Sequence, residues 1–129
     1  MKLKDFIFYI FPVIAYMGII FYFSSLSNPL PSGAPSFSNM AILLHSIEYL
    51  ILSILLVRAF LHYNTSHPYA FSIIIASFYG ITDEIHQLFV PGRFFAVSDM
   101  AADAFGASLI LLYFLIMHTK SYKTKKAIQ

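Results

Sequence analysis

Long apolar runs, separated by short polar or irregular segments, dominate the chain. They lie near residues 6–24, 40–61, 69–90 and 98–117, and each would cross a hydrocarbon layer of about 30 Å as a helix. The segment between the first two runs is rich in Ser and Pro, which predicts an irregular loop, and Pro91 with Gly92 ends the third run. The pattern predicts an all-α fold, a four-helix transmembrane bundle, in a single domain over residues 1–129.

The first run is expected to be a retained helix rather than a cleaved signal peptide. It exceeds the usual apolar length of a signal peptide, and no small-x-small cleavage site follows closely. Pro12 lies inside it, and a membrane helix tolerates such a residue as a kink.

Composition excludes several classes of protein. Hydrophobic residues make up 59% of the chain and charged residues 11%, against about 25% charged in an average soluble domain. The absence of cysteine excludes disulfides, thiolate metal sites and thiol catalysis. A net charge of +2 is far below the basic surface that a nucleic-acid partner requires. The lipid bilayer is the expected partner.

The charges are strongly segregated along this topology. Seven of the eight Lys and Arg residues lie on one side of the predicted bundle, and Arg93 alone lies on the other. Basic residues accumulate in cytoplasmic loops, so both termini are expected to be cytoplasmic in a multi-pass protein of the cell membrane. Residues 118–129 then form a basic, solvated cytoplasmic tail.

The opposite, outer side receives most of the acids. Five of the six carboxylates fall there, within about 12 Å of the membrane boundary by helical rise: Glu48, Asp83, Glu84, Asp99 and Asp103. Against Arg93 they leave a net charge of −4 when histidines are neutral. A low-dielectric site requires compensation by protonation, charged histidines, water or a bound cation. Intramembrane ionisable residues of this kind indicate a functional interior.

Helical spacing groups these residues into candidate sites. Residues three or four apart share a helix face, as do His45 with Glu48 and Asp83 with His86. The candidates for acid–base catalysis are His45, Glu48, Asp83, Glu84 and His86. Four of them are also candidate ligands of a divalent metal, of the Zn, Mn or Fe type that accepts imidazole and carboxylate: His45, Glu48, Asp83 and His86. The alternative is a buried hydrogen-bond network that locks the helices together.

Four further residues are candidates for substrate binding: Arg93, Gln87, Asp99 and Ser25. The planar fork of Arg93 would clamp a phosphate or carboxylate, or would neutralise Glu84 or Asp99. Ser25 is disfavoured as a nucleophile because no strained turn surrounds it, and membrane serines usually bond backbone carbonyls.

These residues give the chain a resemblance to a known family over about residues 20–110. The matching pieces are Phe23-Ser24-Ser25, His45-x-x-Glu48-Tyr49, Asp83-Glu84-x-His86-Gln87-x-Phe89-Val90-Pro91-Gly92-Arg93 and Asp99-x-x-x-Asp103-x-x-Gly106. The sequence resembles the VanZ-like family of small bacterial membrane proteins. The long third piece is the specific one. The family pattern usually has Asn at position 103, so the resemblance assigns no acid role to Asp103.

The resemblance implies a four-helix membrane protein of the cell envelope with a link to antibiotic resistance, since the founding member confers resistance to teicoplanin, a glycopeptide that acts on cell-wall precursors. Two functions follow as hypotheses. In the first, an enzyme-like site acts on a lipid-linked or cell-wall-related group. In the second, the acidic mouth binds a lipid headgroup or glycopeptide without turnover. Proton-coupled transport is disfavoured, because no polar ladder continues through the cytoplasmic halves. So small a bundle is also a candidate homodimer.

Overall fold

Four helices account for nearly all of the protein that the structure, a computed structural model, describes. It describes the backbone of residues 2–27 and 37–127 and the side chains of residues 2–27 and 40–116. The helices are α1 (Leu3–Ser24), α2 (Phe37–His62), α3 (Pro68–Gln87) and α4 (Val97–Ala127). No strand occurs within these described ranges. The predicted all-α four-helix fold is confirmed.

Three of the four helices are long and apolar enough to cross a membrane: the stretches Leu3–Ser24, Met40–His62 and Val97–Ile116. The sequence pattern predicts a fourth span near 69–90, but α3 is not among the three. Its last two turns carry Asp83, Glu84 and His86, which lower its mean hydropathy. It therefore depends on its neighbours for its place in the bundle.

Helix boundaries differ from the predicted ones where apolar sequence continues past the end of a helix. The third helix ends at Gln87 rather than near residue 90, because the chain turns through Val90, Pro91 and Gly92. The Arg93 amide donates to the Val90 carbonyl at 3.1 Å, and Gly92 has φ +81°, as a type II turn requires. At the other end, α4 continues as helix to Ala127, through most of the predicted tail. Much of the predicted loop, residues 28–36, lies outside the described residues.

Helix α1 contains a short irregularity near its start. Residues Phe6–Ile10 form a π-helical turn directly before the stretch that contains Pro12. Proline has no amide hydrogen to donate to the carbonyl one turn earlier, so a wider turn accommodates it. The π-helical turn is thus how α1 accommodates Pro12, as the sequence predicts.

The bundle places small residues inside and large apolar residues outside. Helix α3 shows this best: its buried positions are Ser72, Ala76, Gly80, Asp83, Glu84 and Gln87. Its exposed positions include Ile74, Phe78 and Ile85. An apolar outer face is what a lipid environment favours, while small inner residues let helix backbones approach closely.

The interface of α2 with α4 is the most extensive one in the bundle. Ser53 Oγ donates to the Ala107 carbonyl at 3.0 Å, and Ser46 Oγ, which donates to the Ile42 carbonyl at 2.8 Å, lies 3.3 Å from the Ala102 carbonyl. A Cβ on Gly106 would overlap the backbone carbonyl of Ser46. Gly106 is therefore required for the close approach that brings the first turns of α4 against His45.

Candidate functional site

The polar residues gather at one end of the bundle, where α1 and α3 end and α4 begins. The first half of α2 passes through the same layer and contributes His45, whose ring reaches toward α4. Its Nδ1 lies 2.8 Å from Asp103 Oδ1, and Asp103 is fully buried. Space for the carboxylate comes from Gly80 on α3, because a Cβ there would stand 2.6 Å from Asp103 Oδ2. Three helices therefore meet at one histidine–aspartate pair.

Two more carboxylates lie close to the His45 ring. Its Nε2 lies 3.7 Å from Asp99 Oδ2. One ligand atom each from His45, Glu84 and Asp99 lies within 4.8 Å of the other two. Glu84 is fully buried, and its Oε2 accepts a hydrogen bond of 2.9 Å from the Ala96 amide. Its Oε1 is buried, with no hydrogen-bond partner among the described residues.

A cavity of about 420 Å³ lies beside this group, between α1 and α2. Its polar lining includes Glu48, Asp83 and Gln87, together with His45 and Arg93. Gln87 Nε2 donates to Asp83 Oδ2 at 3.0 Å, while the buried Asp83 Oδ1 has no partner within the described ranges. The remaining lining is mostly apolar, so the cavity has one acidic side and one hydrocarbon-like side.

Arg93 connects the turn after α3 to the end of α1. Its Nε donates to the Leu26 carbonyl at 3.1 Å and its Nη2 to the Phe23 carbonyl at 3.1 Å. Phe23 lies in the last turn of α1, where its carbonyl also accepts from the Leu26 amide at 3.2 Å, and Leu26 follows the helix, so the guanidinium caps the end of α1. A guanidinium carries five N–H donors, so these bonds leave donors directed elsewhere, and Arg93 also lines the cavity.

Ser25 and His86 form a separate contact at the outer edge of the bundle. Ser25 Oγ lies 2.9 Å from His86 Nε2 and 2.7 Å from the Phe21 carbonyl. The single hydroxyl hydrogen donates to the carbonyl, so the His86 nitrogen is the donor to Ser25 Oγ. The His86 ring also stacks on Phe21, with centroids 4.3 Å apart. This arrangement orients His86 and does not activate Ser25 as a nucleophile.

A comparison with models of protein families identifies the family of this chain. The family model described as VanZ/LLP1 matches residues 6–118, which include α2 and α3, most of α1 and α4, and every residue of the site. The chain belongs to the VanZ/LLP1 family. No curated protein and no solved structure matches it.

In this VanZ/LLP1 protein, the predicted candidate residues for catalysis and binding lie in three places. Glu48, Asp83, Gln87 and Arg93 line the cavity. Glu84 and Asp99 lie against His45, which also borders the cavity. His86 is with Ser25. Of the four predicted metal ligands, only His45 belongs to the group of three that the structure brings together.

The sequence places Asp103 among the five acids on one side of the predicted bundle, but it is not among the predicted candidates for catalysis, substrate binding or metal ligation. It lies one turn after Asp99, and that spacing places the two aspartates on the same helix face. The family pattern, with Asn at this position, argued against an acid role. In the structure either side chain would accept a hydrogen bond from a protonated His45 Nδ1, so position 103 orients the ring.

Proposed function

We propose that this VanZ/LLP1 protein binds a lipid-linked amphiphile, a precursor of the cell wall, from the outer leaflet of the cell membrane. The observation that supports the proposal is the cavity between α1 and α2, whose lining changes from apolar to acidic. A ligand with a hydrocarbon chain and a polar headgroup matches both parts, since binding sites combine apolar walls with a few converging polar groups.

The apolar side of the cavity faces out of the bundle. Its lining residues on the two helices are themselves exposed on the surface of the protein: Ile19, Phe23, Leu44, Ile47 and Ile51. In a bilayer these side chains contact lipid, so the cavity opens sideways into the hydrocarbon layer. A lipid chain would enter between α1 and α2 without leaving the membrane.

The acidic side would hold the headgroup. Glu48, Asp83 and Gln87 present acceptors for amine or hydroxyl donors, and Asp83 Oδ1 has no hydrogen-bond partner among the residues that the structure describes. Arg93 stands at the same wall and offers guanidinium donors to a phosphate. A headgroup that combines sugar or amine donors with a phosphate is therefore the expected class.

We favour ligand binding over catalysis with Ser25 as the nucleophile, because the hydroxyl of Ser25 already donates its hydrogen bond to the Phe21 carbonyl. The protein would then protect or sequester the precursor, which links it to the glycopeptide resistance of the family's founding member. Expression in a sensitive bacterium is expected to raise the teicoplanin concentration that stops growth. A strain in which protein made at normal levels leaves that concentration unchanged would contradict the link.

The binding test uses two isoleucines of one helix. Ile47 and Ile54 lie seven residues apart on α2 and are 46% and 45% exposed, but only Ile47 lines the cavity. The purified protein in nanodiscs is mixed with a polyprenyl-pyrophosphate-linked disaccharide peptide, and native mass spectrometry measures the bound fraction. We expect Ile47→Trp to weaken binding by about tenfold and Ile54→Trp to leave it within about twofold.

The headgroup side has its own comparison. Glu48→Gln removes a cavity carboxylate, and Asp5→Asn removes one far from the cavity. We expect the first to weaken binding of the same probe and the second to have no effect. Equal binding of the probe and of ordinary phosphatidylglycerol by the unmutated protein would overturn the proposal.

The outer-leaflet location rests on cytoplasmic termini, which the distribution of basic residues favours. The chain has no cysteine, so single cysteines report position without background. Ser98→Cys places a thiol at the site end, and Ser66→Cys places one in the loop between α2 and α3; both positions are exposed. In intact cells a membrane-impermeant maleimide is expected to label only Ser98→Cys. Labelling of only Ser66→Cys would reverse the topology.

A further inference from the structure

We propose that His45, Glu84 and Asp99 form a divalent-cation site at the junction of α2, α3 and α4. One ligand atom from each residue lies within 4.8 Å of the other two. Each of the three comes from a different helix, so the bundle and not one local turn assembles the group. The site shares only His45 with the lining of the cavity proposed to hold the amphiphile, and its test uses a metal ion alone, so the test does not depend on that proposal.

His45 is held as metal-binding histidines usually are. A ligating imidazole commonly donates its second ring nitrogen to a carboxylate, which fixes the tautomer and the ring plane. Here Nδ1 lies 2.8 Å from Asp103 Oδ1, and the Asp103 side chain is fully buried. With the hydrogen on Nδ1, the lone pair is on Nε2, the atom that faces Asp99.

Glu84 supplies an observation that points to a missing partner. The residue is fully buried, and the Ala96 amide holds Oε2 at 2.9 Å. The other oxygen, Oε1, is buried and has no hydrogen-bond partner in the part of the chain that the structure describes. Leaving a buried carboxylate oxygen unsatisfied costs free energy, and a cation shared with His45 and Asp99 would satisfy it.

Asp99 shows the separation that a shared ion would give. Its Oδ2 lies 3.7 Å from His45 Nε2, whereas Oδ1 accepts a hydrogen bond from Ser98 Oγ at 3.2 Å. Two ligands bound tetrahedrally to one zinc ion at about 2.1 Å stand about 3.4 Å apart. The distance of 3.7 Å is thus too long for a strong hydrogen bond and close to that of two ligands around one ion.

The solvent access and the net charge of this group of residues also support a cation site. The side chains of His45 and Asp99 are 13% and 20% exposed, so water can reach the group and complete the coordination. With Asp103, three carboxylates surround one imidazole, and a divalent cation would offset two of their charges. The imidazole favours an ion of the zinc class over Mg²⁺ or Ca²⁺, which prefer oxygen ligands.

The test measures Zn²⁺ binding to the chelator-treated, detergent-purified full chain by isothermal titration calorimetry. We expect one ion per chain, at least about tenfold weaker binding for Glu84→Gln and for Asp99→Asn, and about tenfold weaker binding for Asp103→Ala, which removes the acceptor of His45 Nδ1. Mg²⁺ is expected to compete poorly.

The control is a histidine–aspartate contact at the opposite end of the bundle, His62 with Asp5, whose atoms lie 3.6 Å apart. Asp5→Asn is expected to bind Zn²⁺ like the unmutated protein. Less than about a tenth of an ion per chain would overturn the proposal, as would unchanged binding in Asp99→Asn or an equal loss in Asp5→Asn. Asp99 is partly exposed, so this variant remains decisive if Glu84→Gln does not fold.

Discussion

Two histidine–aspartate contacts lie at opposite ends of the bundle, and their surroundings differ. His45 and Asp103 meet at 2.8 Å, with the Asp103 side chain fully buried. His62 and Asp5 are 3.6 Å apart, and both side chains are 31% exposed. An exposed pair contributes little because solvent screens it. A buried pair constrains its partners, since removal of one leaves the other unsatisfied.

The neighbours of the two histidines also differ in charge. His62 stacks on Tyr9 with centroids 3.7 Å apart, and Arg58 lies 5.0 Å above the same ring. His45 instead faces further carboxylates, Asp99 and Glu84. A histidine–aspartate pair is therefore a screened surface contact at one end of the bundle and the centre of a buried acidic group at the other.

The largest expected effect comes from removing each aspartate in turn. Asp103→Ala leaves His45 Nδ1 buried without its acceptor and is expected to lower the free energy of unfolding by about 3 kcal/mol. Asp5→Ala should lower it by less than about 0.5 kcal/mol. Unfolding in mixed micelles with dodecyl sulfate, followed by far-ultraviolet circular dichroism, measures both. Equal losses would remove the difference between the two ends.

The second expected effect concerns how closely the helices approach beneath His45. Gly106→Ala places a methyl group against the Ser46 carbonyl, so α2 and α4 must separate. We expect a loss of about 2 kcal/mol in the same unfolding measurement. Gly18→Ala is the matched control, because a Cβ there meets nothing within 4 Å. A Gly106→Ala protein as stable as Gly18→Ala would show that the close approach is not required.

A third pair of variants compares the arginines at the two ends. Arg93→Ala removes two hydrogen bonds to the carbonyls of Phe23 and Leu26 and is expected to lower the free energy of unfolding by about 1.5 kcal/mol. Arg58→Ala removes a cation–π contact with Tyr9 and should lower it by about 0.5 kcal/mol. Arg93→Lys should resemble Arg93→Ala, since an ammonium cannot reproduce the fork. Full stability of Arg93→Lys would contradict the capping role.

The smallest expected effect is that of Ser25→Ala, about 0.6 kcal/mol, the usual contribution of one hydrogen bond inside a membrane. Its sharper readout is the side-chain nitrogen NMR shifts of isotopically labelled histidines. The His86 signal is expected to move because Nε2 loses its partner at 2.9 Å. The His62 signal, at the other end, serves as the internal control and should not move.

The number and type of helices could be predicted from the sequence because hydropathy reports them directly. Helix ends could not, since Leu88 and Phe89 are as apolar as the residues inside α3 and only the backbone turn at Val90–Arg93 removes them from the helix. The same hydropathy pattern suggested four spans. An average over the whole third run hides the acids near the end of α3, which the neighbouring helices accommodate.

The composition of the site was predictable, but its pairing was not. The spacing of His45 and Glu48 correctly suggests one helix face, yet the two side chains make different contacts: His45 with Asp103 on α4, and Glu48 with the cavity beside α1. Contacts between helices depend on how each helix is rotated about its axis. Gly80 and Gly106 set this packing through spaces that no periodicity reveals.

The small and polar inner face of α3 has a consequence for how the protein is made. A nascent helix that carries Asp83, Glu84 and His86 partitions poorly into lipid by itself, because ionised groups oppose insertion. Its acidic turns become acceptable only when His45 from α2 and the first turns of α4 surround them. We therefore expect α3 to enter the bilayer together with α4 as a hairpin, so that membrane insertion and assembly of the site are one event during biosynthesis.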